Sequence, residues 1–118
     1  MAAGAAKFVS GTPRWARYVP ATNLGAGSIV AFGNQCAVLH SPGVSGKEMG
    51  VAVGGGVYEV VLGGTLAELV HVDWENSNDK MVAAGTGDNY FGRIEQGMGG
   101  VDTNVRRVMH MEKTNDAT

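Results

Sequence analysis

At 118 residues the chain is long enough for one domain and too short for two well-packed ones. Nine basic and eleven acidic residues, fairly interspersed, give a formal charge of −2 and exclude the one-signed basic face of a nucleic-acid binder. A single cysteine excludes an intramolecular disulfide, and 19 glycines among many valines and alanines point to short strands joined by tight turns.

The opening Met1–Lys7 lacks the charged start and apolar core of a signal peptide. No run approaches the roughly 18 apolar residues that span a bilayer. The sequence therefore predicts a protein made in a reducing cytoplasm, with no membrane partner. Residues 1–27 read as an extended N-terminal arm, partly strand. Pro13 and Pro20 lack an N–H and push their predecessors to extended geometry. The arm nevertheless carries Phe8, Trp15 and Tyr18 beside Arg14 and Arg17, residue types that dominate binding hot spots. These rings either cap the domain's own core or anchor another chain.

From residue 28 the punctuation becomes regular, and residues 28–111 read as the folded domain. Ser28–Phe32 and Gln35–His40 are expected strands, the second placing Cys36 as a small buried hydrophobe. Met49–Val53 and Val57–Leu62 are expected as two strands separated by Gly54-Gly55-Gly56. Thr65-Leu66-Ala67-Glu68 has capping-box spacing and predicts one helical turn. Val70–Val82 reads as a hairpin, followed by strands at Tyr90–Glu95 and Val105–His110 and a polar tail over 112–118. Strands recurring at this spacing predict an all-β fold, a small barrel or sandwich with at most one short helix.

The hairpin is the one place where chemistry could gather. Strict alternation puts Val70, Val72 and Trp74 on a core face and His71, Asp73 and Glu75 on the other. That second column has the ligand types for a divalent ion, but it is equally the solvated face that a half-buried strand requires. No second His or Cys stands at companion spacing. Gly54–Gly56 and Gly85–Asp88 lead into strands rather than helices, so neither is a phosphate loop. No nucleophile has a recognisable setting, and the three histidines form no evident acid–base pair. The sequence thus predicts no enzyme, no metal and no cofactor. A carbohydrate-binding module using Trp74 and Tyr90 as stacking platforms, or a metal-binding module, stands as the alternative. Arg106 and Arg107 either pair acids across a subunit interface or face water.

Read in order, Lys7-Phe8-Val9-Ser10-Gly11, Ala26-Gly27-Ser28-Ile29-Val30, Gly50-Val51-Ala52-Val53, Gly56-Val57-Tyr58-Glu59-Val60, Val72-Asp73-Trp74-Glu75 and Phe91-Gly92-Arg93-Ile94 resemble the segments of a known family. It is that of the small capsid decoration (cement) proteins of tailed bacteriophages, and the likeness runs to about Met111. The resemblance implies a β-barrel-like domain of the β-tulip type, assembled as a homotrimer on the outer surface of the virion capsid. It implies the major capsid protein as partner, at three-fold and quasi-three-fold positions. Capsid binding is then expected from Phe8, Val9, Arg14, Trp15, Arg17 and Tyr18, the arm adding a strand to the shell while its aromatics fill pockets.

Overall fold

A computed structural model describes residues 4–113. The fold is all-β, with strands β1 (Lys7–Tyr18), β2 (Ile29–Phe32), β3 (Gln35–Val38), β4 (Met49–Val61), β5 (His71–Glu75), β6 (Lys80–Ala83), β7 (Asn89–Ile94) and β8 (Val105–His110). Strands β3, β4, β8 and β7 follow one another as neighbours, and a parallel contact between Gln35 of β3 and Tyr90 of β7 closes them into a small barrel. Outside that ring, β2 pairs with β3, the β5–β6 hairpin pairs with β7, and β1 pairs with β4. Of the expected tail over 112–118, residues 114–118 lie outside the described residues, as do the first three residues of the arm.

Two apolar clusters divide the interior along the alternation of β3 and β4. Val38, Ala52, Tyr58 and Val60 face the barrel lumen with Trp74, Phe91, Ile94 and Val108. Ala37, Val51 and Val53 face the other way, into a second cluster with Val30 and Leu39. Strand β3 and the first half of β4 are thus buried on both faces, which explains their nearly unbroken apolar sequences. The arm contributes to both clusters. Ala6 is buried in the first, and Ala16 and Tyr18 pack against the second.

The expected break at Gly54–Gly56 does not occur, and the two expected strands are one 13-residue strand, β4. The glycines serve a close approach instead. A Cβ on Gly55 would lie 2.6 Å from the Thr12 carbonyl oxygen, and one on Gly11 would lie 2.5 Å from the Gly55 oxygen. Both residues have positive φ, a conformation that glycine alone adopts without penalty. The β1–β4 ladder shifts register around this contact, between Phe8 and Ser10, Gly11 and Arg14, and Arg14 and Trp15.

The expected helical turn at Thr65–Glu68 is absent. Leu66 instead forms an antiparallel bridge with Gly100, two N–H···O=C bonds of 2.8 Å each, and Glu68 accepts from Gly97 N–H at 2.5 Å. One turn of helix has a costly nucleus, and a two-bond bridge to a neighbouring loop competes with it successfully.

Candidate functional site

The hairpin column does not converge. His71 Nδ1 lies 2.7 Å from the Tyr90 hydroxyl, and Glu75 accepts from Asn78 Nδ2 at 2.5 Å. Asp73 departs from its expected place in solvent: it is 7% exposed. Its Oδ2 accepts from Gly85 N–H at 2.7 Å and from Gly87 N–H at 3.4 Å. The cause is a register shift between Val72 and Asp73 in the pairing of β5 with β7. The shift breaks the strict two-residue period and buries Val72, Asp73 and Trp74 in succession. Among the described residues no three His, Cys, Asp or Glu side chains gather as a metal site.

Asp73 therefore organises the 83–88 loop. Replacing it with Ala leaves two backbone donors without their acceptor, a loss of about 2 kcal/mol. Urea denaturation of Asp73→Ala against the wild type measures it, and an unchanged midpoint would refute the role.

The stacking platforms expected for a sugar are also unavailable. Trp74 is 1% exposed, inside the barrel, and Tyr90 is 3% exposed, its hydroxyl held against His71. Cys36 is buried and free, as its apolar run suggests. Burial pushes its thiol pKa up, so the sulfur is a poor nucleophile. Arg107 pairs with Glu95 at 3.1 Å within the chain, and Arg106 Nε donates to the Gly99 carbonyl at 3.4 Å.

The large rings that do reach the surface belong to β1. Phe8 is 42% exposed and Trp15 is 56% exposed, with Val9 half-exposed between them. They stand on either side of His40, whose ring centroid lies 5.0 Å from Phe8 and 4.9 Å from Trp15. Behind them, His40 Nε2 lies 2.6 Å from the Tyr58 hydroxyl. Tyr58 in turn meets Phe91 and His110 edge-on, and Phe91 and His110 stack at 4.6 Å. A continuous file of rings thus runs from the Trp15 indole to the barrel interior. Beside Phe8, a cavity of about 340 Å³ is lined by Ala6, Lys7, Leu39, His40 and Tyr58.

Among the other expected site residues, Arg14 pairs with Glu112 at 3.0 Å and Arg17 with Glu48 at 2.6 Å, both on the surface. Tyr18 does not join the exposed set, because its ring covers the second apolar cluster. Sequence reasoning missed His40, Tyr58 and His110 as one unit. Tyr58 shares the inward phase of Val60, a signal available in the sequence, but nothing local to His40 or His110 announces that both reach the same tyrosine.

Burial lowers the His40 pKa below the usual histidine value and raises that of Tyr58. Their contact is therefore one between neutral groups near pH 7. Such a pair suits positioning of rings rather than proton transfer. Among the described residues no helix is long and apolar enough to cross a membrane. Comparison of the chain with protein-family models, curated proteins and solved structures finds no match.

Proposed function

We propose that this chain is a bacteriophage capsid decoration protein, which binds the assembled shell of major capsid protein from outside and stabilises the virion. The observation that carries this reading is the outward face of β1. Two aromatic rings, Phe8 and Trp15, are held in the open on a long strand backed by a rigid barrel. Large exposed rings on a fixed frame are binding anchors, since little entropy is lost when they dock. The chain's work in this reading is binding rather than catalysis.

The family resemblance supplies the partner and the homotrimer at three-fold and quasi-three-fold positions. Three arms on one trimer multiply weak contacts through effective concentration. A protein that binds only the assembled shell stabilises it by mass action. Two measurements test the reading: the solution mass of the protein, and the thermal disruption of empty tailed-phage shells with and without it. Saturable binding and a raised disruption temperature are the expected result. Absence of binding at every concentration would remove the capsid role.

Trp15→Ala is expected to lower shell affinity about 30-fold, which corresponds to a hot spot of ~2 kcal/mol. Because the ring is mostly exposed, the thermal midpoint of the free protein should move by less than about 3 °C. Equal shell occupancy by the variant and the wild type would show that the indole is no anchor.

A further inference from the structure

The outer face of the barrel carries a row in register across three strands. Val57 of β4 pairs with Met109 of β8, and Met109 pairs with Arg93 of β7. Their chain neighbours Tyr58, Val108 and Ile94 lie in the barrel core, so these three side chains point outward. They border a groove of about 570 Å³, joined there by Met111 two residues beyond Met109. All four residues are half-buried rather than fully solvated. The groove runs past Gly54, Gly55 and Gly56, where no side chain fills the space.

The charges at this groove do not balance. Arg14 and Glu112 neutralise each other at 3.0 Å. Arg93 is left over, because among the described residues no carboxylate lies within ion-pair distance of it. Its cross-strand neighbours, Met109 and His71, bring no acid. Glu95, just beyond β7, is taken by Arg107. Nor does the guanidinium swing freely in water. Its Nε donates to the Leu69 carbonyl at 2.9 Å, which fixes the plane and leaves the two terminal nitrogens for another acceptor.

We propose that this groove binds a small amphipathic carboxylate, its anionic end on the Arg93 fork and its apolar body over Met109, Met111 and Val57. A fixed guanidinium meets a carboxylate with two parallel N–H···O bonds. The two methionines offer an apolar bed that adapts to ligands of differing shape, since the side chain is unbranched and polarizable. A mostly apolar concavity with one oriented polar group is the usual make-up of a small-molecule site. From Arg93 to Val57 the row crosses two strand spacings, about 10 Å, which sets the length of body it covers. The proposal goes beyond the decoration reading and does not depend on it.

The probe is octanoate, with octanol of equal chain length as control, followed by NMR of methyl-labelled methionine. The Met109 and Met111 signals should shift saturably with octanoate, while that of Met81, fully buried in the core, should stay in place. Octanol should bind at least about ten-fold more weakly, the size of one charge-assisted hydrogen bond. Arg93→Gln should weaken octanoate by the same factor and leave octanol unchanged. Because that variant also disturbs the Leu69 contact, Val57→Glu is the second. It sets a carboxylate of the chain's own on the row that holds Arg93, and it should exclude octanoate while the thermal midpoint is kept. Equal affinity for octanoate and octanol would overturn the proposal. So would unchanged octanoate binding in either variant, or no saturable shift at Met109 and Met111.

Discussion

Gly92→Ala should unfold the protein or destabilise it by at least about 3 kcal/mol, the cost of overpacking where no side chain can yield. Gly92 sits buried in β7, paired on one side with Val72 of β5 and on the other with His110 of β8. A Cβ there would lie 1.8 Å from the Met109 carbonyl oxygen and 2.9 Å from its carbon. The obstacle is backbone, not the far end of a flexible side chain. To admit one methyl group, β7 and β8 must separate, and that opens a ladder belonging to the closed ring of strands. Gly50→Ala is the matched control. Gly50 lies at the exposed start of β4, and a Cβ there would meet nothing within 4 Å. Its midpoint in denaturant should stay within about 1 kcal/mol of the wild type. Similar midpoints for the two variants would show that the barrel tolerates strand separation.

The second large effect is on pH. His110 lies buried between Phe91 and Tyr58, its Nε2–H donating to the Cys36 carbonyl at 2.8 Å. Its Nδ1 is buried without a partner among the described residues, so a proton placed there gains no acceptor. Burial is the main cause that lowers its pKa from 6.5 to about 4, and the nearby His40 lowers it further against the opposing Cys36 carbonyl. The folded-state pKa is below the unfolded one, so the unfolded chain binds this proton first. The stability that His110 contributes is therefore complete above pH 6.5 and falls with pH through the window down to about 4, where it levels off. A shift of that size corresponds to about 3 kcal/mol. His40 is displaced in the same direction by its own burial and adds to the slope. Denaturation midpoints taken across that window should fall steadily for the wild type and flatten for His110→Gln. Parallel curves for the two proteins would place the acid sensitivity elsewhere.

Much of the strand content is legible in the sequence, because Val-rich segments bounded by glycine turns have few other ways to be buried. The errors arise where a long-range contact overrides a local pattern. Thr65–Glu68 has the spacing of a helix start, but Gly100 offers Leu66 a bridge from 34 residues away, a partner absent from any local window. Asp73 belongs to the solvent face by alternation, until the register shift against β7 turns it toward the Gly85 and Gly87 amides. The three glycines of β4 read as a break because a missing side chain looks the same whether it marks a turn or admits another strand. The composition of the candidate surface was readable, since Phe8, Trp15 and the arginines stand out in a Pro-containing segment. Its geometry was not, because nothing in residues 7–18 states that they pair with residues 49–59.

That last pairing bears on how the chain is made. Strand β1 precedes β4, and its ladder joins Tyr18 to Met49 at one end and Lys7 to Glu59 at the other. At roughly 5–20 residues per second, translation leaves β1 several seconds without the strand that holds it. During that interval the newly made segment shows Phe8 and Trp15 to every neighbouring chain on the polysome. Lys7, Arg14, Arg17 and Pro13 in the same twelve residues act as gatekeepers over this delay, since charge and a missing donor both discourage nascent arms from pairing with one another.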